Sequence, residues 1–278
     1  MRVLISGSTG LIGTALVTAL EGAGHQPVRL VRSTDPGDHP SVRWDPATES
    51  IDEGALDDID AVVHLAGESI ATSRWTDAQK ARIMDSRVQG TRTLAKAMAA
   101  AAEPPAVFLS GSAIGYYGDA GDDRVTEASG AADDFAAQVT VRWEAEAAPI
   151  ATDRTRLAYL RTGIVLDPVG GALAEQLPFF KLGLGGRIGS GKQWLSWISL
   201  ADEVGAILHL LDSEVEGPVN LTAPNPVTNH EFTKALGREL SRTLLEGGAH
   251  VSPTVLQQSG YAFLDPELES ALQRMLTD

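Results

Sequence analysis

The chain has no cysteine among its 278 residues. That excludes a disulfide framework and a thiolate zinc site, and it fits a reducing compartment. No uncharged apolar run reaches the roughly 18 residues that a membrane span needs. Positive charge is scarce: 22 Lys and Arg stand against 37 Asp and Glu, a formal net charge of −15. Such a surface repels nucleic acid and anionic membranes, and neither is expected as a partner. Its plain reading is solubility. The six histidines show no metal-ligand spacing, so no metal is expected. The start, Met1 to Gly10, enters a strand directly and lacks the basic, apolar and small-residue regions of a secretory leader, so the expected location is cytoplasmic.

Strand-like and helix-like stretches alternate from the first residue, which predicts a parallel sheet covered by helices on both faces. Val3–Ser6, Gln26–Val31, Ala61–Leu65, Ala106–Leu109 and Leu157–Val165 read as strands. Leu11–Ala23, Asp77–Ala102 and Asp134–Ala148 read as helices. Pro36–Pro46 reads as a loop rich in Pro and Asp. After Asp167 the character changes. Pro168–Gly191 is glycine-rich, Ser199–Leu211 helical, Val219–Leu221 a short strand, and the last forty residues helical with loops. The expected fold class is α/β, a Rossmann-type doubly wound parallel sheet with a smaller, interleaved C-terminal lobe. The working boundary puts a dinucleotide-binding domain at 1–167 and a substrate lobe at 168–278, with 201–223 returning to the first body.

The stretch Ser6-Gly7-Ser8-Thr9-Gly10-Leu11-Ile12-Gly13 lies between a predicted strand and a predicted helix. Gly7 permits the tight turn, Gly10 removes a Cβ that would block a pyrophosphate, and Gly13 lets the helix pack on the sheet. The free N–H groups of the first helical turn then face the phosphates. A purely structural glycine turn is the alternative, but the strand before and helix after favour dinucleotide binding. At the end of the second strand stands Val31-Arg32-Ser33-Thr34, with no carboxylate before Asp35. Arg32 and Ser33 suit the 2′-phosphate of NADP(H) rather than the free ribose hydroxyl of NAD(H).

Several stretches resemble the extended and atypical short-chain dehydrogenases/reductases of the NAD-dependent epimerase/dehydratase group. They are Gly7–Gly13, His64-Leu65-Ala66-Gly67-Glu68, Ser73-Arg74-Trp75, Asp85-Ser86-Arg87-Val88-Gln89-Gly90-Thr91, Leu109–Gly118, Gly189–Ile198 followed by Asp202, and Asn220–Asn229. Within that group the chain is most similar to the "epimerase family" proteins, a subgroup likened to sugar-nucleotide epimerases. The resemblance implies that Leu65, Ala66, Gly67 and Ser110 line the cofactor, and that Ser112 is the family's active-site serine. It also implies a Tyr-x-x-x-Lys on the helix near Phe135–Arg142, with the Tyr as acid/base and the Lys tuning it. This chain has neither there, and no lysine between Lys96 and Lys181.

Other groups must then carry the proton, or none does. Tyr116, Tyr117 and Glu68 are candidates, each with a bland alternative: a core or wall position for the tyrosines, a cap or ion pair for Glu68. Arg87 stands where working relatives carry an Asn and binds a cofactor or substrate oxygen, or is a solvated helix charge. His64 and His209 read as packed or surface residues. In the C-terminal lobe Trp194 and Trp197 offer stacking faces, and Arg187 and Lys192 offer charge for a phosphate or carboxylate; core tryptophans and surface cations are the alternative. Relatives carry a longer segment after Arg242, where Thr243–Gly248 follows at once; either it has been lost or the sequence as read omits residues. The expectation is an NADP(H)-binding reductase/epimerase-like protein acting on a nucleotide-sugar or similar polar carbonyl or hydroxyl compound, monomeric or homodimeric. The rival is a non-catalytic NADP(H)-binding redox sensor or regulator.

Overall fold

The structure is a computed structural model that describes residues 1–32, 39–70, 75–181, 187, 189–240 and 249–277. Ser33, Ser73, Arg74, Gly183 and the stretch 243–248 lie outside them. The chain forms two compact units. The first holds Met1–Ser112, Gln138–Leu160 and Ile207–Pro218; the second holds Ala113–Ala137, Arg161–Ala206 and Val219–Asp278. The chain changes unit five times.

The large sheet contains β1 (Arg2–Ser6), β2 (Gln26–Val31), β3 (Ser41–Asp45), β4 (Ser50–Ile51), β5 (Ala61–His64), β6 (Val107–Ala113), β7 (Arg156–Thr162) and β8 (Gly217–Leu221). Their order is β8-β7-β6-β5-β1-β2-β3-β4. β1 runs parallel to β2 and β5, β2 to β3, and β5 to β6, while β4 is antiparallel to β3. The chain moves outward from β1 to β3, then returns to the other side of β1 for β5. Ligands of such sheets sit outside the carboxyl ends of the strands at this reversal. Ser6 and His64 end β1 and β5 and pair in register there.

The first unit's core joins Leu4, Val28, Val62 and Phe108 of the sheet to Leu94 and Met98 of α2 (Asp77–Ala100). Each such side chain contributes about 1.5–3 kcal/mol on full burial. One loop expectation is corrected. Ser41–Asp45 is a strand, with Val42 half-buried and Trp44 buried between exposed neighbours; one buried residue is too weak a period against the surrounding prolines. Gly171–Lys181 within the glycine-rich stretch is a helix, with Pro178 inside it; Leu173 and Leu177, one turn apart, carry it into the second unit's core.

Helix starts separate the elements further. α1 spans Leu11–Gly22, α3 Phe135–Ala147, α4 Gly171–Lys181, α5 Leu200–Asp212 and α6 Asn229–Leu240. Thr76, Asp134, Ser199 and Thr228 accept backbone N–H groups at the starts of α2, α3, α5 and α6. Such side-chain caps contribute about 1 kcal/mol each. α1 begins on Gly10 with no side-chain cap and no acidic residue in its first turn.

In the second unit Leu173, Leu177, Trp197, Phe232, Leu236 and Leu272 form the core. Asp202, fully buried in the first turn of α5, accepts from Tyr261 Oη at 3.0 Å, Leu264 N at 2.7 Å and Asp265 N at 2.8 Å. Its neighbour Glu203 is also fully buried. Burial pushes that carboxyl up to about 8, against the hydrogen bond from Thr162. No described helix is long and apolar enough to cross a membrane.

Candidate functional site

The loop between β1 and α1 follows the mechanical reading. Gly7 has φ +70°, and a Cβ there would sit 2.9 Å from the Ala66 amide nitrogen. A Cβ on Gly13 would sit 2.2 Å from the Gly7 carbonyl oxygen. Any side chain at either position displaces backbone. Thr9 and Gly10 are exposed at the loop tip, Ser8 is buried, and Leu11 and Ile12 open the helix half-buried. The uncapped N-terminus of α1, free of acidic residues, suits a pyrophosphate in charge and in shape. Arg32 is exposed just past the end of β2; Ser33 lies outside the described residues.

A closed polar network underlies this loop. Ser6 Oγ accepts from Leu65 N and Ala66 N, each at 3.1 Å. Its proton therefore goes to His64 Nδ1, 2.6 Å away. That fixes the neutral tautomer with hydrogen on Nε2, which faces Thr91 Oγ1 at 3.1 Å. Thr91 passes its own proton to the Arg87 carbonyl. Burial, aided by the nearby Arg87 charge, pushes the imidazole down to about 3. His64 is thus a structural core residue. It positions Leu65 and Ala66 through Ser6.

Arg87 is a half-buried link. Its Nη1 donates to the carbonyls of Glu68 at 3.0 Å and Ile83 at 3.1 Å. Its guanidinium lies 5.0 Å from the Trp143 ring centre and 3.1 Å from where a Gly67 Cβ would be. Desolvation lowers it to about 10, against the pull of Glu68, and it stays charged at neutral pH. Glu68 itself is half-exposed, with Oε1 3.9 Å from Arg82 Nε.

Midway along β6, Ser110 is fully buried, and near its end Ser112 Oγ donates to Glu144 Oε1 at 2.7 Å. Glu144 stands on α3, the helix from which the resemblance led us to expect Tyr-x-x-x-Lys. Trp143 sets that helix in place: a Cβ on Gly111 would lie 2.7 Å from its ring. Sequence reasoning missed Glu144. The only signal was an acidic residue two turns into a helix that lacked the expected pair.

The remaining candidates lie in the second unit. Tyr117 is buried; its hydroxyl donates to Asn220 Oδ1 at 2.7 Å and accepts from Arg161 Nη1 at 2.9 Å. Burial raises its pKa, partly opposed by Arg161. Tyr116 lies under the Arg161 guanidinium, 3.5 Å from ring centre to Cζ. Trp197 is wholly buried, with its indole N–H on the Asn225 carbonyl, and presents no face to a ligand. Trp194 is half-exposed, stacked on His250 at 4.4 Å and bonded to Asp122. Arg187 and Lys192 are exposed. His209, in the last turn of α5, is half-buried. Among the described residues no group of His, Cys, Asp and Glu could hold a metal ion.

A turn in which Gly7 and Gly13 admit no side chain, an uncapped helix start and the reversal of strand order beside it define a doubly wound α/β protein of the dinucleotide-binding type. Residues 3–145 match the NAD dependent epimerase/dehydratase family, and residues 233–275 match a domain of unknown function, DUF1731. This chain belongs to the NAD-dependent epimerase/dehydratase family. It is 45% identical over 241 residues to the epimerase family protein Mb2239 of Mycobacterium bovis, covering 86% of this chain and 79% of that one. The human epimerase family protein SDR39U1, solved with NADPH, superposes with a TM-score of 0.91 at 33% identity over 100% of both chains. A nucleoside-diphosphate sugar epimerase from Corynebacterium glutamicum superposes with a TM-score of 0.84 at 35% identity, over 99% of this chain and 58% of that one.

Proposed function

We propose that this protein binds NADP(H) and transfers hydride to or from a nucleotide-sugar or a similar polar carbonyl or hydroxyl compound. The observation that carries the reading is the glycine cradle of Gly7, Gly10 and Gly13 at an uncapped helix start, with Arg32 past the neighbouring strand. Pyrophosphate would take the N–H groups of Thr9 to Ile12, and Arg32 with Ser33 the 2′-phosphate. Leu65, Ala66 and Gly67 would flank the adenosine side, with Arg87 holding that loop, and Ser110 would border the cofactor. When bound, the cofactor supplies the hydride chemistry. Ser112 would polarise the substrate oxygen. Arg187, Lys192 and the exposed edge of Trp194 would recognise phosphate and base, whereas Trp197 serves the core. The NADPH-bound human relative and the sugar-epimerase relative support both halves. A cytoplasmic setting and a monomeric or homodimeric state complete the reading.

One observation favours a second reading, a non-catalytic NADP(H) sensor: α3 contains no Tyr and no Lys. Titration with NADPH and NADH, followed by nicotinamide fluorescence, is the test. NADPH should bind much more tightly than NADH, and Arg32→Ala should erase most of the difference, about 1–3 kcal/mol for a charge-assisted contact. Equal loss for both cofactors removes the NADP(H) assignment. Binding without oxidation by any carbonyl compound selects the sensor.

A further inference from the structure

We propose that Ser112 and Glu144 form a proton relay that takes the place of a tyrosine–lysine pair, with Ser112 touching the substrate and Glu144 holding the proton behind it. The proposal rests on the NADP(H) reading above. Its geometry lies entirely within the first unit. Ser112 is 5% exposed and stands two residues beyond Ser110, which pairs with His64 at the end of β5. Its Oγ–H points at Glu144 Oε1 at 2.7 Å, the length of a charge-assisted hydroxyl–carboxylate bond. A serine alone is a poor proton acceptor. A serine whose own proton already faces a carboxylate can accept a second one as the first departs.

The placement of Glu144 is not left to a loose side chain. Trp143, its neighbour on α3, abuts the Gly111 backbone, where even a Cβ would collide with its ring. The other side of the indole meets Arg87, which is anchored on the Glu68 and Ile83 carbonyls. The helix that carries Glu144 is thereby registered against both β6 and the loop after β5. The loop after β5 and the proton holder are then set by one connected group of side chains.

The step balances as follows. In the oxidising direction a substrate carbinol gives its O–H proton to Ser112 Oγ, while Ser112 gives its hydroxyl proton to Glu144 Oε1. A bound oxidised nicotinamide cofactor would take the carbinol hydrogen as hydride, so that the alcohol becomes a carbonyl, while Glu144 ends as a carboxylic acid that loses its proton to water. Reduction runs the same transfers backwards.

The alternative is that Glu144 only ties α3 to β6. Glu144→Gln separates the two, because the amide oxygen still accepts from Ser112 but cannot hold the proton. The holoprotein would be mixed with isatin or ethyl pyruvate as carbonyl probes and single-turnover NADPH oxidation followed across pH. NADPH affinity and melting temperature would be measured alongside. A relay predicts that Glu144→Gln keeps affinity within about twofold, slows oxidation by at least about 100-fold and flattens its pH profile. Ser112→Ala should do the same, and the double variant should be no slower than the slower single. Unchanged rates and pH profile in Glu144→Gln overturn the relay. So does a parent protein that binds NADPH yet oxidises it with neither probe. Should Glu144→Gln fail to fold, Ser112→Ala decides by the same criteria. A parent that binds no NADPH overturns the cofactor reading instead.

Discussion

His64 in the first unit and Glu203 in the second are both fully buried, and burial holds each one neutral, but their surroundings differ in completeness. Both imidazole nitrogens have partners, Ser6 and Thr91. Glu203 uses Oε1 for Thr162, while its buried Oε2 has no partner. Glu127 Oε2, Gln176 Oε1, Thr222 Oγ1 and Thr233 Oγ1, all in the second unit, are likewise buried without one. The dinucleotide loop thus rests on a finished polar network. The second unit carries several unfinished polar atoms, each able to hold a buried water or a group from a ligand, whereas in the first unit the buried Trp143 Nε1 also lacks a partner.

The largest effect should come from removing the buried ionisable carboxyl of Glu203. Glu203 is raised from 4.5 to about 8, so its stabilising share is complete below pH 4.5 and is lost as pH climbs through 8. Glu203→Gln should therefore stabilise the protein by about 3 kcal/mol at pH 7, with the gain shrinking toward pH 4.5. Urea unfolding across that range measures it; no gain at pH 7 would mean that the carboxyl ionises freely.

His64 has the opposite sign. It is lowered from 6.5 to about 3, so its share is complete above pH 6.5 and is lost as pH falls toward 3. Between pH 4.5 and 6.5 the two slopes offset each other in the parent. In the Glu203→Gln background, moving from pH 7 to pH 5 should cost about 2 kcal/mol. Adding His64→Gln should remove that slope; a slope that survives belongs to other groups.

The smallest effect tests a closed corner of the second unit. Tyr117→Phe withdraws the donor from Asn220 Oδ1 and the acceptor from Arg161. Stability should fall by about 1 kcal/mol in urea melts. Turnover should hold, since that hydroxyl is already committed; a lost turnover would return Tyr117 to the acid/base role.

The dinucleotide half of the fold was legible because its signals are local. Gly7, Gly10 and Gly13 stand between a strand and a helix, and Gln26–Val31 is the strand that the sequence predicts. Ser41–Asp45 escaped because a short strand with one buried side chain has almost no period. The helix at Gly171–Lys181 escaped because Pro178 and the flanking glycines read as punctuation, while its burial depends on Leu195, Trp197 and Phe232, which lie outside any local window. The candidate site divides the same way. The cradle is contiguous and could be read, whereas Glu144 faces Ser112 across 32 positions and Arg161 meets Tyr117 across 44. Pairings of that kind are decided by packing, which no window of sequence contains.

Asp202 adds a matter of timing. Its backbone donors at Leu264 and Asp265 lie 62 and 63 positions downstream, so a chain leaving the ribosome makes the carboxylate, with a donor in Ser199, long before it makes them. Until Asp265 has emerged, the first turn of α5 lacks those two donors. Closure of the second unit is therefore deferred to the last stretch of synthesis, and a message cut short before Tyr261 would yield a chain unable to shut around its own aspartate.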